Sequence, residues 1–551
     1  MKRVNIVGAG LAGLSAALTL AGRGQKCNLI SIQPSERAQS VLAEGGINAA
    51  LDTMGERDSF LEHYEDTMRG GAYLADPNAV YGLVQNAPDL VKWLVELGVP
   101  FHMEQGRIIL RNFGGQKKKR TAYAKSSTGK MIVTALVDEA RKYEVAGMID
   151  RYPHHEFVEL LLKKQQTMND ETDKNRGEEC VGVRIKDVYT GRIQNLEGSV
   201  ILASGGLNGF FPGMTTGTTA NSGDVTATVF AQGVQLSNLE MLQFHPTTIG
   251  IAGKRCLVTE AARGEGGRLF VERDRKPWYF MEEKYPRMGN LMPRDVISRE
   301  IFSVIRRADC GNQVYLDLTG LDMQIWKKKL PDLREEIQHY LGLDPAREPV
   351  AVEPGIHYFM GGIDTDEHHR TNIPGLYAAG ECTSQYHGAN RLGGNSMLGA
   401  LYGGRVSAEW AIADGASRPE GWEKGDFGQC IGSGTAEGTM PLEEPASVDF
   451  ISRLSAVLLH GLGIVRNEES LKKALEHIGE DFSAQNVRER NRLILAEAML
   501  RSALVRKESR GAHFREDYPE QSEAFRKISV AEYVGTEVLI NLRDLPERRG
   551  S

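Results

Sequence analysis

Within a few residues of Met1 an apolar run, Val4-Asn5-Ile6-Val7, meets Gly8-Ala9-Gly10-Leu11-Ala12-Gly13, and an Ala/Leu-rich stretch follows from Leu14 to about Ala21. A GxGxxG between a buried strand and a helix constrains the chain more than any other feature it carries. The glycines Gly8, Gly10 and Gly13 allow a tight turn and close approach to a pyrophosphate, and the helix N-terminus faces the phosphates. The fold class implied is α/β with a Rossmann-type dinucleotide-binding domain. The acidic residue expected about 20 residues on is missing, because the second strand, Cys27-Asn28-Leu29-Ile30, ends in Ser31 and Ile32. Ser31 is left to serve the adenosine ribose. Two more strand-then-glycine signals follow, Ser199 to Ala203 before Ser204-Gly205-Gly206 and Gly375 to Ala379 before Gly380-Glu381. Three such signals spread along the chain suggest one cofactor domain assembled from distant segments, which suits FAD, a longer ligand than NAD.

Composition narrows the class further. The 66 Lys and Arg against 73 Asp and Glu give a net charge of −7, so nothing marks a nucleic-acid or anionic-membrane surface. No run approaches the roughly 18 apolar residues of a membrane span, and Met1-Lys2-Arg3 leads into the first strand without a signal-peptide pattern. A cytoplasmic protein is expected. The cysteines at 27, 180, 256, 310, 382 and 430 form no CxxC or CxxCH, so no iron–sulfur, zinc or haem site of the chain's own is expected, and no metal. Any redox centre is then an organic cofactor.

Further motifs come in a fixed order: Ser40-Val41-Leu42-Ala43-Glu44-Gly45-Gly46, Asn112-Phe113-Gly114-Gly115, Gln243-Phe244-His245-Pro246-Thr247, Thr259 to Gly267, Pro293-Arg294-Asp295, His357 to Gly362, and His387 to Ser396. In these the chain resembles the flavoprotein subunits of fumarate reductase and succinate dehydrogenase, with L-aspartate oxidase a close cousin. The resemblance implies an FAD domain of discontinuous segments, 1–240 and 357–420, an inserted capping domain over 241–356, and a linker and helical C-terminal region over 421–551. The helical spacing of Leu454–Ile478 and Val487–Val505, after the Gly/Ser/Thr/Pro-rich 421–444, agrees with the last part.

The resemblance also implies roles. His245 and Thr259 take one carboxylate of a dicarboxylate such as fumarate or succinate, and His357 and Arg391 take the other. Arg294 is the proton donor, refilled by Glu260 and Arg263. Gly45, Gly46, Gly205, Gly206, Asp224, Glu381, Asn395 and Ser396 fall at flavin-contacting positions. Charged hydrogen bonds in a closed site suit a small dianion, and an arginine acid is reasonable when proton transfer accompanies hydride transfer. Glu265 shapes a turn or joins the site, Lys117-Lys118-Lys119-Arg120 reads as a solvated face, and Arg510 and His513 read as structural. Two departures matter. Gln39 stands where respiratory members carry the histidine bonded to flavin, so FAD is expected to be non-covalent and fumarate reduction the favoured direction. Phe113 stands where aspartate oxidase has a glutamate for the substrate ammonium, which favours a dicarboxylate without an amino group. The alternatives are L-aspartate oxidase and a succinate dehydrogenase working oxidatively. A separate iron–sulfur subunit is expected to supply electrons, with any membrane contact through partners.

Overall fold

The computed structural model describes residues 2–125, 127–164, 178–416, 437–439 and 445–549. Its organising element is a five-stranded parallel sheet in the order Leu376–Ala378, Val200–Leu202, Val4–Val7, Cys27–Ser31, Ile149–Pro153. The strands are short and apolar because helices and a second layer cover both faces. Helix Leu11–Gly22 lies against helix Asn395–Ala416, and Gly404 lets them touch: a Cβ there would sit 2.2 Å from Ala12 O. The hydroxyl of Ser15 donates to Leu401 O at 2.7 Å across that contact. Beyond the other face, His155–Lys164, Glu178–Asp187 and Arg192–Glu197 form an antiparallel sheet with Glu437–Thr439.

The chain leaves this unit through strand Leu242–Ile251 and returns through Val350–Phe359, two antiparallel neighbours. Between them stand the other strands of a six-stranded sheet and the helices Arg294–Val304, Met323–Lys328 and Pro331–Leu341. This capping unit has a core of its own, built on Phe280, Ile297, Val314, Trp326 and Val350. Two larger clusters fill the rest. One packs helix Leu11–Gly22 and its neighbours on the parallel sheet, and the other joins the sheet's opposite face to the C-terminal helices.

The C-terminal region departs from expectation in three places. The helix expected over Leu454–Ile478 is two, Val448–Leu462 and Glu468–Glu480, separated at Gly463 and restarted by the Asn467 cap, whose side chain accepts from Ser470 N–H. Val487–Val505 is one helix, as its spacing predicts. Past it the chain forms a hairpin, Lys527–Val534 with Glu537–Asp544, which adds to Leu236–Ser237. Of the linker expected over 421–444, residues 437–439 are a strand and the remainder lies outside the described residues.

Candidate functional site

A cavity with about 1850 Å³ of empty volume, its open mouth included, runs from the first glycine turn to the base of the cap. At one end it is walled by Gly8, Gly10, Ser31 and Gly205, then by Gln39, Ser40, Gly45, Gly46, Glu381, Gly394 and Ser396. At the other end it is walled by Phe113, His245, Thr259, Glu260, Arg294, His357, Tyr358 and Arg391.

The first end is a cradle that side chains would fill. Gly8 has φ +114°, and a Cβ there would lie 2.1 Å from Ala203 O. Gly46 has φ +120°, with the same conflict against Ala122 O at 2.5 Å. Ser31 ends its strand at the cavity wall. Glu381 is half-buried and accepts Phe359 N–H at 3.3 Å, and its loss of solvation pushes its carboxyl up to about 7. A bare backbone turn, a serine hydroxyl at the wall and a half-buried carboxyl suited to hydroxyl groups together fit FAD, and a single cavity joins them.

The second end is cationic. His245 lies on the outgoing strand and His357 on the returning one, so sheet pairing brings the rings to 5.2 Å between centroids. His357 Nδ1 shares a 2.8 Å hydrogen bond with Thr216 Oγ1. His245 Nδ1 lies 3.3 Å from Thr247 N–H, and its Nε2 has no partner among the described residues. Burial, then the charge of Arg294, hold both imidazoles well below the usual value, so both are neutral near pH 7. Arg391 lies with its guanidinium 4.5 Å from the Tyr358 ring centre, and burial with Arg294 nearby pushes it down to about 9, still protonated.

Arg294 begins the helix Arg294–Val304 and points back to the cavity. Its Nε and Nη2 donate to Glu260 Oε2 at 3.0 and 2.7 Å, and its Nη1 donates to Gln243 Oε1 at 3.1 Å. Burial alone would raise the Glu260 carboxyl, but Arg294 and Arg263 outweigh it and hold it below the ordinary carboxylate range. Arg263, one turn further along the short helix Glu260–Gly264, comes within 3.8 Å of Glu260 and donates to Asn290 O at 2.8 Å. Phe113 packs between Gly45 and Gly393, where added Cβ atoms would lie 3.3 and 3.2 Å from it.

Five of the residues singled out from sequence stand behind the cavity wall. Gly13 makes the helix–turn contact, with a Cβ 1.9 Å from Gly8 O, and Gly206 leaves room for the Glu381 carboxyl. Asn395 is held in a buried network by Asn48 and His63, and Arg263 reaches the site only through Glu260. The carboxylate of Asp224 pairs with Arg492 at 2.6 Å and so ties two helices together. Glu265 pairs with Lys329 at 2.7 Å. The basic run is not uniformly solvated: Arg120 is fully buried, 3.0 Å from both Asp58 and Asp66. Two acids inside the fold draw it inward.

Sequence reasoning assigned no role to Gln243 or Tyr358. Gln243 bonds Arg294 and also donates from Nε2 to Asn390 Oδ1 and Arg391 O, at 2.8 and 2.9 Å. It stands two residues before His245 in the strand, the spacing that puts side chains on one face, and that was the readable signal.

A dinucleotide cradle that runs unbroken into a capped, cationic chamber defines a class, the FAD-dependent oxidoreductases. The model of the FAD binding domain matches residues 3–397, and that of the fumarate reductase flavoprotein C-terminus matches residues 483–546. The chain belongs to the family of fumarate reductase and succinate dehydrogenase flavoprotein subunits, in which L-aspartate oxidases are also relatives. It is 36% identical over 565 residues to the succinate dehydrogenase flavoprotein subunit of Bacillus subtilis, covering 96% of this chain and 93% of that one. To the L-aspartate oxidase of Pyrococcus furiosus it is 33% identical over 530 residues, covering 96% and 98%. Among solved structures, the FrdA chain of E. coli quinol fumarate reductase superposes with a TM-score of 0.86 at 28% identity, covering 100% of this chain and 97% of that one. No helix among the described residues is long and apolar enough to cross a membrane.

Proposed function

We propose that this chain is the flavoprotein subunit of a fumarate reductase, reducing fumarate to succinate. The relatives carry three activities, so the reading rests on the site, and the observation that carries it is Arg294. A buried guanidinium gripped by a carboxylate on one side and an amide on the other is aimed at the chamber and prevented from swinging away. FAD held along the glycine cradle and Glu381 would, once reduced by two electrons, supply hydride to one alkene carbon. Around the substrate, Arg391 and His357 clamp one carboxylate and His245 and Thr259 the other. Neutral imidazoles serve here as N–H donors that do not compete for the reaction's proton. As negative charge develops on the neighbouring carbon, Arg294 releases a proton to it, and a proton from Arg263 passes through the ionised Glu260 carboxylate to restore Arg294. Charge-assisted bonds among side chains held in a largely buried chamber make each step stronger than it would be in solution.

Phe113 supports a substrate without an ammonium group, since a phenyl ring offers no salt bridge. Gln39 supports non-covalent FAD and, through the lower potential expected of an unlinked flavin, the reductive direction. Residues 1–240 with 357–420 hold the flavin, 241–356 close over the substrate, and 421–551 form the linker and C-terminal region. A separate iron–sulfur subunit delivers electrons, and the chain is cytoplasmic, reaching a membrane only through partners.

The test is anaerobic. Protein reduced with a viologen dye reoxidises the dye rapidly on addition of fumarate, and Arg294→Ala lowers that rate by about 10²–10⁴-fold, the usual contribution of a positioned acid. Failure to oxidise the dye, with oxygen-dependent turnover of L-aspartate instead, overturns the reading and the Phe113 argument with it.

A further inference from the structure

The element Glu508–His513 lines neither flavin cradle nor chamber, yet its backbone reaches the segments that carry both site arginines. The carbonyl of Gly511 accepts from Arg299 Nη1 at 2.8 Å. Arg299 sits on the helix that Arg294 begins, little more than one turn further on. The N–H of Ala512 donates to Ala389 O at 2.8 Å, and Ala389 stands two residues before Arg391. That carbonyl and that N–H belong to a single planar peptide unit. One rigid plane therefore holds the cap helix on one edge and the Arg391 segment on the other.

We propose that the Gly511–Ala512 peptide, gripped by Arg299, is a positioning device that sets Arg294 opposite Arg391, with Arg299 as a positioning residue for the reaction. The proposal rests on the reading of Arg294 as the acid. The element is anchored independently of the cap: Arg510 donates to Glu508, to Ala72 O and to Ser522 O. Arg299 is aimed as well as bonded, with Asp295 at 3.1 Å and its guanidinium 5.3 Å from the Phe514 ring centre. Gly511 has φ +54°, and a Cβ there would lie 2.5 Å from Ala389 O, so the close approach depends on the missing side chain. A second link, Arg294 through Gln243 to Arg391 O, runs behind the chamber wall. One link fixes a distance, whereas two links at separate points on a helix also fix its rotation.

The experiment uses the full-length, FAD-loaded protein. In Arg299→Ala, kcat per bound flavin in the viologen–fumarate assay falls roughly 10–100-fold, the cost of a misplaced group, while KM changes little. The solvent deuterium isotope effect on kcat rises, because protonation becomes the slow step, and Arg299→Lys recovers part of the rate. A merely structural role would reduce the amount of active protein and leave kcat per flavin and the isotope effect unmoved. In substrate-free protein, amide exchange in 294–304 and in 386–391 accelerates together. Wild-type kcat per flavin, or exchange that changes in one segment alone, overturns the bridge. Activity surviving in Arg294→Ala overturns instead the assignment of the acid, and the exchange result still decides whether the bridge exists.

Discussion

Gln39 shows how much one side chain decides. It opens a short helical turn at the cavity wall, and its Oε1 accepts Thr218 N–H at 2.6 Å. Thr218 belongs to the loop that also carries Thr216, the partner of His357. The amide thus braces the loop behind His357 and has no nucleophilic ring nitrogen to offer the flavin. Acid precipitation of the holoprotein is expected to leave a colourless pellet and all the flavin in the supernatant, and yellow pelleted protein would refute the non-covalent assignment. Residues of this kind were legible because their motifs are local: Glu44-Gly45-Gly46 fixes where to count from. Arg120 was not legible, since what turns it inward is a pair of carboxylates some 50–60 positions away in the chain.

At the scale of elements, the strand–turn–helix at the N-terminus could be read directly because its steric requirement is contained in ten residues. The hairpin Lys527–Val534 with Glu537–Asp544 carries an equally local signal, alternating Ile528 and Val530 with a turn at Gly535, whose φ is +65°. The helical expectation for the C-terminus overrode it. Contacts between distant elements left no local trace. Asp224 opens the helix Asp224–Ala231 and meets Arg492 on Val487–Val505, a pair in which Arg492 is 4% exposed and Asp224 25%. Removing one charge strands the other, so Asp224→Asn is expected to cost about 1–3 kcal/mol in denaturant unfolding of the cofactor-free chain. Affinity for FAD should stay within a few-fold of wild type. A large loss of affinity without a loss of stability would return Asp224 to the flavin-contacting set.

For the whole molecule, the buried histidines make a collective prediction. His245, His357 and His513 are held well below the usual value, His63 and His387 are pushed down to about 3 and His369 to about 4, in every case first by burial. Below pH 6.5 the unfolded chain binds protons at these six positions that the folded chain refuses, so stability falls as pH falls. Glu44 and Glu381 run the other way. Burial raises them to about 8 and about 7, so between pH 4.5 and 6.5 the folded chain holds protons the unfolded chain has released. Six histidines outweigh two acids, so unfolding takes up protons on balance, and increasingly so as pH falls below 6.5 and the unfolded chain's imidazoles charge. At about 1.4 kcal/mol per proton per pH unit, the substrate-free protein should lose on the order of a few kcal/mol between pH 6.5 and 5.5, a noticeable part of a typical total. Urea unfolding across pH 5–7.5 measures it directly, and a flat profile would mean that these imidazoles are protonated in the folded chain. The donors proposed for the substrate carboxylates would then be imidazolium groups, and the chamber would carry two more positive charges than neutral imidazoles give it.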